Sequence, residues 1–244
     1  EPHFLKQIER LQPTLMVVVA FKKIPSKLYN LAKHGAVNIH ASLLPKYRGA
    51  APIHHAVLNG EKETGVTAFQ INDKIDTGNI LFQEKINIEK DETTGSLWTK
   101  LSYLGQNVII KTLDQFDSGE IKYNSQDNSK ATKAPKIHPE DFVIDWNKSA
   151  SRIHNQIRAF SPKPGAFTTL NGKRIKLFST EIEGLINEKN KDIPGRIRIK
   201  KNIITIMTGN GILNVLEIQP EGKPRMNVKS YLAGNKIEEE AICR

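Results

Sequence analysis

The longest hydrophobic run, Leu15-Met16-Val17-Val18-Val19 with Ala20 and Phe21, is too short to cross a membrane and has the length and β-branched character of a buried strand. Ser26 then reads as the N-cap of a short helix, with Leu28 and Leu31 three apart and Gly35 as its terminal glycine. Residues 37–40 return as a second strand. Residues 65–71 and 79–88 alternate apolar and polar positions, which predicts two more strands joined by a turn over 73–78. From Thr94 onward Leu97, Leu101, Leu104, Val108 and Leu113 recur at helical steps, and Gly119 stops the pattern.

Alternating strands and helices over the first half predict an α/β sheet. Residues 123–139, rich in lysine, serine and asparagine with two prolines, lack that periodicity and read as a linker. Beyond them comes one helix over 149–160, then short strands at 166–170, 174–179, 195–199, 203–207 and 212–218. Asn171-Gly172 and Asn210-Gly211 suit tight hairpins, because both central residues of a type I′ turn need positive φ. Short strands with tight turns predict a small barrel. The expected organisation is an α/β domain at 1–122, a linker at 123–139 and a β-barrel domain at 140–244.

Composition adds a constraint on partners. With 244 residues, 38% of them hydrophobic and 25% charged, the chain is an ordinary globular one rather than disordered or fibrous. The formal charge of +10 is uneven: residues 1–120 hold 14 basic and 13 acidic side chains, residues 121–244 hold 22 and 13. A basic module beside a nearly neutral one is the layout of a nucleic-acid handle on a catalytic body, although a lysine-rich solubilising surface gives the same count. A single cysteine, Cys243, excludes an internal disulfide framework and a cysteine zinc site, and with no signal peptide in view the expected compartment is the cytoplasm. Cys243 reads as inert tail; Trp98 and Trp146 read as packing residues.

The candidate chemistry lies at the end of the second strand. Residues two apart on a strand face the same way, so Asn38 and His40 project together where open α/β sheets place their active sites. An amide donor beside an imidazole can hold a developing oxyanion and relay a proton, as acyl-type transfer requires. No GxSxG elbow accompanies them, so the attacking group has to come from a substrate. The turn Asp76-Thr77-Gly78 can bring a carboxylate to the same place, where it would orient His40 or take protons from an amine; it is also ordinary turn chemistry. His34, His40, His54 and His55 lack metal-ligand spacing, and Gly60 to Gly65 lacks the phosphate-loop pattern, so no metal is expected.

The stretch Asn38-Ile39-His40-Ala41-Ser42-Leu43-Leu44-Pro45-Lys46-Tyr47-Arg48-Gly49-Ala50-Ala51-Pro52-Ile53, with Glu63-Thr64-Gly65-Val66-Thr67 and Asp76-Thr77-Gly78, resembles the methionyl-tRNA formyltransferases. In the second half Ile144-Asp145-Trp146, Ile157-Arg158-Ala159-Phe160-Ser161-Pro162, Gly209-Asn210-Gly211-Ile212-Leu213 and Gln219-Pro220-Glu221-Gly222-Lys223 are similar to that family's C-terminal domain. The first set is shared with folate-dependent formyltransferases acting on small amines; the second singles out the tRNA enzymes. The resemblance implies a Rossmann-like N-terminal domain, a C-terminal OB-like β-barrel, and transfer of a formyl group from 10-formyltetrahydrofolate to the α-amino group of methionyl initiator tRNA, by direct amine attack and a tetrahedral intermediate. The folate is a cosubstrate, and no metal, membrane or obligate protein partner is implied.

Carried over residue by residue, Asn38, His40 and Asp76 are catalytic, and Ser42, Leu43, Leu44 and Pro45 match the folate-binding segment. Asn38 and His40 would stabilise the oxyanion, while Asp76 assists proton removal and supports His40. Candidates for tRNA contact are Lys133, Lys136, Arg158, Lys173 and Arg174; Lys136 and Arg158 match family positions, whereas Lys173 and Arg174 are chosen for charge alone. The chain opens at Glu1, inside the family's first domain, so its leading βα units are expected to be missing and residues 15–20 to lie on an exposed edge. Phe21-Lys22-Lys23 stands where the family has an aromatic residue followed by glycine, an alteration expected in the folate pocket wall. Two other readings stay open: an inactive tRNA-binding fragment of such an enzyme, and a formyltransferase acting on a small amine.

Overall fold

In a computed structural model, which describes residues 2–20, 23–184, 192–238 and 241–244, the valine run forms strand β1 (Met16–Val19), preceded by helix α1 (Pro2–Leu11). It pairs in parallel with β2 (Ala36–His40), Val18 opposite Asn38. A two-residue strand β3 (Arg48–Gly49) and helix α3 (Pro52–Leu58) lead to β4 (Glu63–Gln70), antiparallel to β2, and β5 (Ile80–Asn87), antiparallel to β4. Sheet order is β1-β2-β4-β5. β1 is therefore an edge strand, as expected for residues 15–20, and alternate valines face outward: Val17 is 43% and Val19 56% exposed, which corrects the reading of this run as a buried strand.

Helix α2 (Ser26–Tyr29) starts one residue earlier than its serine suggests. Pro25 occupies the N-cap without a side-chain bond, and Gly35 (φ +71) closes the following turn onto the Ala32 carbonyl rather than ending the helix. Helix α4 (Thr94–Ser118) has the predicted length and ends before Gly119 at φ +74. Its buried face runs through Leu97, Leu101 and Val108 to Thr112, one position short of the expected Leu113, which is exposed. Four-residue steps keep that stripe on one side of a 3.6-residue helix, and a five-residue step leaves it. Trp98 is 61% exposed on the same helix, so it is not a packing residue, whereas Trp146 is.

Residues 123–139 carry more structure than their composition suggests. Asn124 exchanges both main-chain hydrogen bonds with Ile80, residues 128–130 form a 3-10 turn capped by Asp127, and β6 (Lys133–Ala134) pairs in parallel with β3. The chain clusters into two units, residues 1–56, 61–89 and 97–136 in the first and residues 57–60, 90–96 and 137–244 in the second.

In the second unit α5 (Ala150–Ala159) is capped by the Ser149 hydroxyl, which accepts from the Arg152 N–H. Ile153 and Ile157 of this helix, with Phe160 after it, are fully buried in one apolar core. Truncating either isoleucine to alanine would cost about 2–5 kcal/mol. The strands are β7 (Ala166–Leu170), β8 (Lys173–Gly184), β9 (Ile197–Lys200), β10 (Ile203–Met207), β11 (Ile212–Pro220) and β12 (Met226–Asn227), followed by helix α6 (Val228–Gly234). They run antiparallel in the order β7-β8-β11-β10-β9, with β12 on β11.

Residues 241–244 join the two edges of this sheet. Ala241 and Cys243 bond the main chain of Ile197 and Gly195 on the β9 side, and Arg244 exchanges both main-chain bonds with Thr169 of β7. The sheet is thereby closed, as an OB-like barrel requires. Cys243 is thus not tail: it is 4% exposed inside the core, where burial pushes its thiol up to about 12. Of the two Asn-Gly turns, Asn171-Gly172 has positive φ at both residues, but at Asn210-Gly211 only Gly211 does. There the Asn210 and Trp146 carbonyls bond Ala150 and Gly209, so the loop serves the start of α5 instead of making a two-residue hairpin. The second type I′-like pair is Lys201-Asn202, at φ +50 and +63 between β9 and β10.

Among the described residues no helix is long and apolar enough to cross a membrane. Because the thiolate is the reactive form, the native protein at pH 8 should not react with an aromatic disulfide reagent, and one thiol should appear on unfolding in denaturant. Rapid labelling of the folded protein would contradict the buried position of Cys243.

Candidate active site

β2 carries Asn38 and His40 on one face with Ile39 between them on the other. His40 is buried at the strand's C-terminal end, with Nε2 2.9 Å from the Tyr47 carbonyl oxygen. A carbonyl only accepts, so Nε2 carries the proton and Nδ1 is the nitrogen left for other work. Nδ1 lies 3.7 Å from Asp76 Oδ2, too far for a direct hydrogen bond, so the carboxylate faces the ring across a short gap. Asp76 Oδ2 also accepts the Gly49 N–H at 2.8 Å, and its carboxylate is 12% exposed. The Asn38 amide makes no hydrogen bond among the described residues, which leaves its NH₂ available as a donor.

Two features of the backbone hold Asp76 there. Asp76 adopts φ +54, a left-handed conformation that Asp tolerates better than most side chains. Gly78 packs so closely on β4 that a Cβ would collide with the Gln70 carbonyl, and a Cβ at Gly49 would likewise strike the Ala134 carbonyl. The turn and the loop can therefore approach their neighbours only with glycine at both positions.

The segment Ser42 to Pro45 divides by orientation. Ser42 and Leu44 are buried, the Ser42 hydroxyl donating to the Lys46 carbonyl at 2.6 Å, while Leu43 and Pro45 are half-buried and offer apolar surface. Thr67 of β4 fixes the segment: its hydroxyl donates to the Ser42 carbonyl (2.6 Å) and accepts from the Leu44 N–H (3.2 Å). Gln83 of β5 donates to both Thr67 Oγ1 and the Leu44 carbonyl.

Of the basic candidates, Lys133 and Lys136 are exposed in the first unit, and Lys173 and Arg174 are exposed at the start of β8 in the second, with the Arg174 guanidinium 4.2 Å from the Phe167 ring centre. Arg158 is the exception. It is 6% exposed, and its guanidinium donates to Asn155 Oδ1 and to the carbonyls of Glu92 and Val57. Those bonds hold chain segments of its own unit together, so the guanidinium's donors are already engaged within the protein.

Sequence reasoning assigned no part to Thr67, Gln83, Tyr47 or Gln126. Thr67 and Tyr47 lie in stretches already singled out, but Tyr47 acts through its carbonyl, which no side-chain pattern reveals. Burial and the adjacent His55 hold the His54 imidazole below the ordinary histidine range, and His55 Nε2 donates to the Pro135 carbonyl. Among the described residues no group of three or more His, Cys, Asp or Glu is arranged to hold a metal ion. Phe21 and Lys22, which bear on the altered pocket wall, lie outside the described residues.

Family models for "Formyl transferase" and "Formyl transferase, C-terminal domain" match residues 1–113 and 136–236. The methionyl-tRNA formyltransferase of Desulfotalea psychrophila is 41% identical over 243 residues, covering 99% of this chain and 74% of its own. Two solved structures share the fold at lower identity. HypX from Aquifex aeolicus, in complex with tetrahydrofolic acid, is 19% identical with a TM-score of 0.67 over 95% of this chain, which spans 41% of HypX. The methionyl-tRNA formyltransferase from Clostridium thermocellum is 19% identical with a TM-score of 0.55, over 78% of this chain and 79% of that one.

Replacing Thr67 by valine keeps its volume and leaves the Ser42, Leu44 and Gln83 groups without their shared partner. The expected loss is about 1–3 kcal/mol, read as a lower urea midpoint at unchanged slope. An unchanged midpoint would mean that Thr67 does not anchor the loop.

Proposed function

The chain belongs to the methionyl-tRNA formyltransferase family, and from that premise we propose that Asn38, His40 and Asp76 carry formyl transfer from 10-formyltetrahydrofolate to the α-amino group of methionyl initiator tRNA. The observation that carries the assignment is the convergence of an unpaired amide, an imidazole with Nδ1 free, and a carboxylate at the C-terminal end of β2. None of the three is a hydroxyl or a thiol, the usual nucleophiles of acyl-enzymes, which suits attack by the substrate's own amine.

The bound folate supplies the formyl carbon and the nitrogen from which it departs. Asn38 donates from its amide to the formyl oxygen as negative charge develops there. With Nε2 committed to the Tyr47 carbonyl, Nδ1 is the nitrogen through which His40 meets that oxygen, and donation from it requires the imidazolium form. Asp76 keeps lone pairs beyond the one used by Gly49, and through a water it accepts the proton that the amine loses on attack and releases it toward the departing nitrogen. Half-buried Leu43 and Pro45 offer an apolar lip for a flat pterin ring, and the bonds from Thr67 and Gln83 keep that lip in register with His40.

The basic side chains supply affinity for the tRNA backbone. Lys133, Lys136, Lys173 and Arg174 are exposed and available for phosphate contact, and Arg158 leaves the set because its guanidinium is buried. Residues 140–244 act as the tRNA-binding module and residues 123–139 as its connection to the catalytic domain. Charged tRNA is the substrate, so the reaction belongs to the cytoplasm.

Transfer of labelled formyl from 10-formyltetrahydrofolate to Met-charged initiator tRNA tests this reading. Asn38→Ala, His40→Ala and Asp76→Ala should each lower kcat about 10²- to 10⁴-fold. Lys173→Ala and Arg174→Ala should leave kcat in place and each reduce the salt dependence of tRNA binding by about one unit of slope. Full activity in His40→Ala would overturn the assignment, and tRNA binding without turnover in the parent would leave only a binding role.

A further inference from the structure

Residues 124–134 form a strap over the site, and Gln126 is its centre. The Gln126 amide makes four hydrogen bonds: Nε2 donates to the carbonyls of Asp76 (2.9 Å) and Gly78 (2.8 Å), and Oε1 accepts from Arg48 Nε (3.1 Å) and Nη2 (2.7 Å). Carbonyls only accept and a guanidinium only donates, so the partners fix which end of the amide is which. Glutamate would keep the Arg48 side and lose both donors; an apolar side chain would lose everything. The other parts of the strap hold Gln126 in place. Asn124 pairs with Ile80, Asn128 Oδ1 accepts from Arg48 Nη2 at 2.8 Å, and Thr132 accepts the Arg48 N–H at its carbonyl and the Tyr47 N–H at its hydroxyl.

The two ends of this amide reach the two things that place the Asp76 carboxylate. One is the left-handed main chain from which the side chain springs, held at Asp76 and again two residues on at Gly78. The other is Arg48, whose next residue, Gly49, donates the N–H that orients Asp76 Oδ2. We infer that Gln126 is a positioning residue for the reaction: by clamping the Asp76–Gly78 turn to Arg48 it sets the Asp76 carboxylate against His40. This rests on the proposed roles of Asp76 and His40, but the clamp itself has a signature that does not depend on turnover.

The test uses the full chain and four variants: Gln126→Ala, Gln126→Glu, Asp76→Ala and the double variant Asp76→Ala/Gln126→Ala. In two-dimensional ¹H–¹⁵N spectra the Gly49 amide resonance, shifted downfield by the carboxylate, should move in both Gln126 variants toward its position in Asp76→Ala. A Gly49 resonance that stays at the parent position while the rest of the spectrum is native would overturn the inference, whatever the activity. In formyl transfer, both Gln126 variants should lose about 10- to 100-fold in kcat with KM for folate and tRNA held within about threefold. Adding Gln126→Ala to Asp76→Ala should change the rate by less than about twofold, because the clamp acts through the group already removed. Multiplying losses in the double variant would show that Gln126 acts elsewhere and would overturn it. An inactive parent chain would remove the proposed function and leave the Gly49 readout to decide the clamp.

Discussion

A carbonyl oxygen has no proton to give, and the Tyr47 carbonyl is placed 2.9 Å from His40 Nε2. That fixes the imidazole's tautomer and orientation together and turns Nδ1 toward Asp76. The carbonyl is in turn fixed by the residue that bears it. Tyr47 sits at φ +62, its N–H donates to the Thr132 hydroxyl, and its phenol donates to Glu61 at 2.7 Å. A residue restrained at its amide, its backbone angle and the tip of its side chain has little freedom to move its carbonyl. Which nitrogen of a strand residue is left unbonded is thus selected by a loop residue seven positions later.

The surroundings extend the same arrangement. Two short parallel ladder residues, Arg48 and Gly49, pair with Lys133 and Ala134, and the intervening strap ties back to the Asp76 turn through Gln126. Thr67 and Gln83 hold the Ser42 to Pro45 loop from the adjoining strands of the sheet. Most of these contacts end on main-chain carbonyls and N–H groups of loops that have no ladder partner of their own. Buried loops need such partners, since each orphaned group costs about 1–3 kcal/mol. The bonds that make the loops foldable are the same ones that make the site rigid. In the second unit residues 241–244 do comparable work, closing the sheet edges at Thr169 and Gly195 and burying Cys243 within the core.

Periodicity made the framework legible. The Asn38-x-His40 spacing, the turn at Asp76, the long helix ending at Gly119 and most of the strands in the second half follow from residue type and step length alone. Most of the misses at the site share one physical cause, contact between residues far apart in sequence. Gln126 lies in a stretch with no periodic hydrophobicity, yet its partners are 48 to 78 residues away. Arg158 matched a family position and carries a charge, but only its burial and its carbonyl partners reveal that its donors are engaged within its own unit. Asn210-Gly211 has the dipeptide of a hairpin and lacks the backbone of one, because its carbonyl is needed at the start of α5. The apolar character of Val17 and Val19 suggests burial, but both are exposed, because a strand's burial depends on its neighbours in the sheet and β1 is at the edge.

The proposed chemistry depends on Nε2 of His40 being held by a backbone carbonyl, which leaves Nδ1 for the substrate. The most direct measurement is the tautomer of His40 by ¹⁵N NMR of histidine-labelled protein at a pH where the ring is neutral, assigned with His40→Gln. The expected result is a protonated Nε2 and a bare Nδ1. A ring protonated at Nδ1, with Nε2 bare, would contradict it, because Nε2 could then make no hydrogen bond to the Tyr47 carbonyl.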